Sequence, residues 1–287
     1  MPENQSNCVR RSADADFVRS VSIPPRPALL MALQHEMKKG MPHLKKVGEL
    51  VSRDAAMAGN LLEAANSAFF RRGRRIKTVP EAVALIGMDQ FSAIMTGLIT
   101  KRVLSVGGMM MARFWDVSEK RANGLSFIAK ETQAAPAELA YSFGLFCDIG
   151  IPLMKVRFST YVETLSVANL VAAERFLKVE NVRHGANHAH IGALLAEKWG
   201  IASEVIHAIR AHHTPDVLYD ESVPAAVRGL IASNFLVEKA IQEYRGESES
   251  LEWLEAGAVA AEALDLSASE VKDFCDRLIL LFFGTIH

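Results

Sequence analysis

The chain has only three cysteines in 287 residues, Cys8, Cys147 and Cys275, with no CxxC pair among them. That excludes a disulfide framework and a thiolate zinc finger, and it fits free thiols in a reducing cytosol. Aromatic residues reach only 7%, and the formal net charge is −1. A globally basic nucleic-acid coat and an acidic tail protein are both excluded, although local patches are not. The N-terminal segment MPENQSNCVRRSADADF lacks an apolar h-region and carries both charge signs, so no signal peptide is expected. Long uncharged apolar runs are missing too. SFGLFCDIGIPLMKV carries Asp148 at its centre, and LILLFFGTI is too short to span a bilayer. The expectation is a cytoplasmic protein with no membrane partner.

What is present favours helix. Half the residues (50%) are apolar, 23% are charged, and Ala, Leu and Met are plentiful. No repeated period-2 runs flanked by turn residues mark a sheet, so the fold class is all-α. Residues 1–20 read as a flexible arm, and IPPRP at 23–27 cannot be helix interior. Helices are expected over 28–39, 44–51, 55–65 with Asp54 as N-cap, 79–86 behind a Thr78–Glu81 capping box, and 88–106. Gly107-Gly108 marks a lobe boundary, giving an N-terminal helical bundle over 21–108 and a second helical lobe over 109–287. Further helices are expected at 109–133, 137–149, 160–180, 187–199, 203–213, 223–244, 251–263 and 269–283.

Helical projection turns several polar groups inward. His188 shares a face with Ile191, Leu195 and Trp199, while His212 and His213 continue the stripe of Val205, Ile206 and Ile209. Asp148 ends an apolar helix, and Asn234 lies on the stripe Val227, Leu230, Ile231, Glu238 and Ile241. Buried groups of this kind must find partners. Two readings stand open: a hydrogen-bonded polar cluster that pins helices together, or a metal site, since imidazole plus carboxylate suits zinc, iron, nickel or manganese. Cys147 is either a zinc ligand or nucleophile, or an inert core thiol, and the apolar surroundings favour the inert role.

The stretches IPPRPALL, SRDAAMAGNLLEAANSAFF, IKTVPEAVALIGMDQF, FWDVSEKRA, GLFCDIG and HAHIGALLAEKWGIASEVIHAIRAHHTP resemble the bacterial HDOD domain, over about residues 21–217. The resemblance implies a two-lobed helical protein whose second lobe is similar to HD-type metal phosphohydrolases, in a family regarded as non-enzymatic signalling modules. Active HD enzymes hold metal with a first His, a His-Asp pair and a distal Asp. Here those positions are Val117, Cys147 with Asp148, and Asn234, so three of four ligands are changed and that half-site is dead. In two-metal relatives such as the HD-GYP phosphodiesterases, a second metal uses the bridging Asp, a following His and a His-His pair. This chain keeps all four, as Asp148, His188, His212 and His213. Arg121 lies one turn beyond Val117, and its guanidinium is expected where a metal charge would otherwise sit.

The loop bearing Arg71, Arg72, Arg74, Arg75 and Lys77 is a candidate anion-binding element, against the plainer reading of a solvated loop, which the charge balance favours. The Met109–Met111 run reads as core packing. His35, His43, His184 and His207 read as surface residues, with His184 set apart because it precedes His188 by one turn. The main expectation is a non-catalytic signal-transduction scaffold acting in trans, with response regulators or cyclic-dinucleotide enzymes as partners by family resemblance. Self-association stays open, and nucleic acid is not expected as a partner. The rival is a one-metal phosphohydrolase acting on a nucleotide or phosphodiester. No cofactor is expected beyond the one divalent transition metal that the half-site allows.

Overall fold

The prolines of IPPRP keep residues 23–27 extended, and Pro27 (φ −63°, ψ 142°) hands the chain to α1, Ala28–Met37. The computed structural model describes residues 23–284 apart from 40–41, 71–72, 74, 106–108, 172 and 248–250. The arm over 1–20, Cys8, the Gly107-Gly108 break and Arg71, Arg72 and Arg74 lie outside the described residues. Every regular element among the described residues is helical, with no strand.

After α1 come α2 (Leu44–Ser52), α3 (Ala55–Ala65), α4 (Val79–Ile86) and α5 (Met88–Leu104). The Asp54 carboxylate accepts from the Met57 N–H at 3.1 Å and caps α3 as expected. Thr78 caps α4, but its capping box stays open. Glu81 reaches past Thr78 and accepts from the Lys77 N–H instead. The second set comprises α6 (Met109–Thr132), α7 (Ala137–Phe146), α8 (Gly150–Arg157), α9 (Tyr161–Ala168), α10 (Ala173–His184), α11 (His188–Lys198) and α12 (Ser203–Ala211). A 3₁₀ turn over Pro215–Tyr219, α13 (Ala225–Tyr244), α14 (Leu251–Ala263) and α15 (Ala268–Phe282) complete the chain.

Three expected helices that bear on the site are divided or shortened. The 137–149 helix stops at Phe146 and resumes as α8. Pro152 has no N–H for the Asp148 carbonyl, so Ile151 takes it at 2.9 Å as a tight i+3 bond. The 160–180 helix splits into α9 and α10, because Leu170 and Val171 also close onto i−3 carbonyls. Finally, α12 ends at Ala211, leaving His212 and His213 in the turn beyond it.

One continuous hydrophobic core runs through both sets of helices. α5 packs on α7, α6 and α7 form a helical hairpin, and α13 lies on α6, α14 and α15. The extended strap at the N-terminal end adds a tie: Trp199 Nε1 donates to the Pro24 carbonyl at 3.1 Å, and Lys198 Nζ to that of Ile23 at 2.8 Å. Residues 137–157 together form a 21-residue apolar stretch long enough to cross a bilayer, but most of its apolar part is buried inside the protein. It carries Asp148 and serves as the core helix on which the site is built.

Candidate metal centre

Close backbone approach assembles the site. A Cβ on Gly150 would lie 2.0 Å from the His188 carbonyl oxygen, so only glycine lets the start of α11 press against the turn at 147–150. A Cβ on Gly144 would lie 2.5 Å from Ala122 Cα, so α6 approaches α7 as closely and carries Arg121 to the same place.

Asp148 then has two different neighbourhoods. Its Oδ1 faces His188 Nε2 at 3.4 Å and His212 Nε2 at 3.5 Å, while its Oδ2 takes Arg121 Nη2 at 2.9 Å. His188 Nε2 lies 3.3 Å from both His212 Nε2 and His213 Nε2. One ligand atom from each of Asp148, His188, His212 and His213 lies within 4.8 Å of all the others.

The opposite ring nitrogens settle the tautomers. His212 Nδ1 donates to the Ile209 carbonyl at 2.7 Å, and His213 Nδ1 donates to Glu252 at 2.8 Å. His188 Nδ1 donates to Glu180 Oε2 at 2.8 Å. Each neutral ring therefore turns a bare Nε2 lone pair inward. Three lone pairs and a carboxylate oxygen at such distances repel unless a cation or a proton sits among them. An Nδ1–H held by a carboxylate or carbonyl, with Nε2 free to coordinate, is the usual support of a metal-binding histidine.

Charge argues the same way. The centre holds four carboxylates against one guanidinium: Asp148 and Glu238 pair with Arg121, Glu180 with His188 and Glu252 with His213. Burial opposes ionisation of Asp148, but the Arg121 guanidinium, with the His188 and His212 rings beside it, holds its carboxyl well below the usual range. Burial disfavours a proton on His188, yet Glu180 and Asp148 together push it up to about 9, so without a cation that ring carries the proton. Burial and the neighbouring His213 pull His212 down to about 4, which leaves it neutral and able to coordinate. The residues fit one divalent ion of the kind bound by imidazole and carboxylate.

The other half of the expected set is different. Arg121 is buried, bonded through Nη2 to Asp148 and through Nε to Glu238, so a guanidinium occupies the second oxygen of Asp148. Val117 packs partly buried against the core. Burial, with Asp148 beside it, pushes the Cys147 thiol well above its ordinary value, so the thiol is inert. Asn234 is buried and its Oδ1 has no hydrogen-bond partner. His184 does not join the cluster: Gly185 (φ +72°) ends α10 between it and His188. Its ring packs at a tilt against Phe158 and pairs with Thr164 Oγ1 at 2.8 Å. In the basic loop, Arg75 and Lys77 are exposed, and Asn66 clamps Ile76 between them through both amide atoms.

Sequence reasoning missed Glu180 and Glu252. Glu180 also accepts from the Tyr161 hydroxyl and the His188 N–H, fully buried. Its i+4 spacing from buried Phe176 was a usable signal. Glu252 gave none, because it meets His213 from another helix.

The class these features define is an all-α domain with an inward-facing Asp/His centre. The sequence matches the HDOD domain over residues 23–215, and the chain belongs to that family. An HDOD domain protein of unknown function from Geobacter sulfurreducens shares the fold at TM-score 0.74 and 19% identity, over 97% of each chain. A protein from Marinobacter aquaeolei VT8, provisionally named a signal transduction protein, gives 0.69 at 21%, over 93% of this chain and 59% of its own. One from Shewanella amazonensis SB2B, provisionally named a phosphohydrolase, gives 0.70 at 20%, over 95% and 98%. Ribonuclease Y of Desulforudis audaxviator is 26% identical over 162 residues, 48% of this chain and 32% of that protein. The chain spans no more than 37% of the length of the first curated relatives it matches.

Proposed function

We propose that the chain is a non-catalytic signal-transduction module whose second lobe is held together by one divalent metal ion on Asp148, His188, His212 and His213. The observation that carries the non-catalytic part is the Arg121 guanidinium on Asp148 Oδ2. Two-metal phosphoester hydrolysis clamps the attacking and leaving oxygens between two ions. With Asp148 committed to Arg121, with Val117 aliphatic and with the Cys147 thiol unable to ionise, this chain offers no second ion position. The metal part rests on the three bare Nε2 atoms and Asp148 Oδ1. The ion would supply a fixed positive charge; Glu180, Glu252 and the Ile209 carbonyl orient the rings that hold it. Response regulators or cyclic-dinucleotide enzymes are the partners this reading proposes, on family resemblance.

One observation favours the rival, a one-metal phosphohydrolase. The Asp148 side chain is 19% exposed, so the Asp/His centre reaches solvent. The deciding experiment measures metal by elemental mass spectrometry in the parent and a His212→Ala/His213→Ala variant, then assays bis(p-nitrophenyl) phosphate with manganese, iron, nickel and zinc. The expected result is one equivalent of metal in the parent, none in the variant, and no turnover with any ion. Turnover that chelator abolishes and metal restores would establish the hydrolase instead. A metal-free parent would leave the cluster as a polar core closed by the His188 proton.

A further inference from the structure

An open cleft of about 660 Å³ is walled by α3, α5, α6 and α7, and it shares no residue with the Asp/His centre. Trp115, Glu119 and Asn123 are spaced i, i+4 and i+8, a single stripe of α6 about 12 Å long that lines the cleft. Tyr141 of α7 lines it as well, only 7% exposed, with the Phe70 ring 6.3 Å away.

Among the described residues, the Trp115 indole N–H of this wall is buried without a partner, and two further polar groups lack one. Among the described residues, neither the Tyr141 hydroxyl nor the Asn123 amide makes a hydrogen bond, and neither is sealed from the cleft. Largely buried phenols and amides normally find partners, so both are placed to bond something that enters. Burial, reinforced by Glu119, holds the Tyr141 pKa above its ordinary value, so it stays a neutral donor. The Asn123 amide donates and accepts together. Charge around the cleft is balanced: Glu63 and Glu119 face Lys101 and Arg102, with Lys101 bonded to Glu119 at 2.5 Å. The described lining offers a polyanion no excess of positive charge. A flat, neutral ring with donors and acceptors along one edge meets both the aromatic wall and the two free groups.

We propose that this cleft binds a nucleoside, its planar base against Phe70, Trp115 and Tyr141 and its hydrogen-bonding edge on Asn123 and Tyr141. An amide side chain that donates and accepts at once matches the paired groups on a purine edge, and aromatic faces supply stacking. The volume is in the ordinary range for a small-molecule site.

The test is calorimetric titration of the full chain with adenosine and with guanosine, using indole as a flat control without the polar edge. Asn123→Ala and Tyr141→Phe are titrated alongside. At least one nucleoside is expected to bind, about tenfold more weakly in each variant for the loss of one hydrogen bond. Both variants should keep the parent's Tm, because the deleted groups make no hydrogen bond among the described residues. Absence of binding up to millimolar nucleoside overturns the proposal. So does undiminished binding in both variants, or indole binding as tightly as the nucleosides. A drop in Tm in both variants would show the two groups to be structural and would equally overturn it.

Discussion

Replacing Gly150 by alanine adds one methyl group at the point where the whole centre depends on backbone contact. That methyl would sit 2.0 Å from the His188 carbonyl oxygen and 2.8 Å from His188 Cα, and both are backbone atoms that cannot rotate away. Restoring ordinary contact near 3.4 Å requires the start of α11 to retreat by about 1.4 Å. His188 would move with it, away from Asp148, His212 and His213. A metal site tolerates about 0.2 Å of ligand displacement, so Gly150→Ala should lose its metal outright. Overpacking of this kind costs about 1–3 kcal/mol. At about 2 kcal/mol the loss in Tm is about 4–8 °C for a chain of this size. Elemental mass spectrometry and thermal unfolding read the two effects. Gly59→Ala is the control: no atom lies within 4 Å of its Cβ, and alanine in that helix should add about 0.5–1 kcal/mol. If Gly150→Ala kept the parent's metal and Tm, the close approach of α11 would not be what builds the site.

Arg121→Met should destabilise the protein by about 3–5 kcal/mol at neutral pH in urea unfolding, because it strands two acids inside; an unchanged midpoint would refute the ion-pair role. Glu252→Gln should weaken metal binding by about 10–100-fold with little change in metal-free stability, measured by competition with a coloured chelator. Chelation of the parent should lower its Tm, since an ion present at a hundredfold over its Kd contributes about 2.7 kcal/mol. Equal melting curves with and without chelator would count against a bound ion. Glu36 gives a pH signature: Lys39, against the opposing pull of burial and with help from the His43 N–H and Lys46, holds its pKa at about 2, down from 4.5. A lowered carboxylate contributes fully above its unfolded value and loses that contribution as pH falls through its folded one. The Tm gap between the parent and Glu36→Gln should therefore be constant above pH 4.5 and close as pH falls towards 2.

The fold was legible where local chemistry decides it. Asp54 caps α3 because a short carboxylate beside three free N–H groups has few alternatives, and the stripe Ile191, Leu195 and Trp199 is buried as its spacing requires. The break near 169 was not legible, because i+3 closures there replace the i+4 ladder without a glycine to mark them, whereas Gly150 and Pro152 do mark the end near 149, which falls slightly earlier, at Phe146. In the centre, spacing turned Asp148, His188, His212 and His213 inward, and the family resemblance grouped them. Their supports were out of reach. Glu252 lies 39 residues from His213, and no periodicity within one helix reports a partner on another. Glu238 stood on the inward stripe of α13, but its partner Arg121 is 117 residues away.

On the proposed function, the division of labour at Asp148 explains how the chain can keep one ion position and give up the other. A carboxylate that bridges two cations needs both oxygens free, and here one oxygen is held by a guanidinium. Arginine matches that geometry as a permanent cation with several donors, and it also takes Glu238, an acid that burial holds above its ordinary pKa despite the pairing. The substitution keeps positive charge at that place while removing any exchangeable ligand position. It also leaves Oδ1 free to face the three rings. The surviving position gathers the 147–149 turn, α11 and the His212-His213 turn directly, and α10 and α14 through Glu180 and Glu252. An ion there would join five segments whose polar groups otherwise face one another as repelling lone pairs around a single shared proton. Its first consequence is mechanical, and rigidity rather than turnover is what its removal should change.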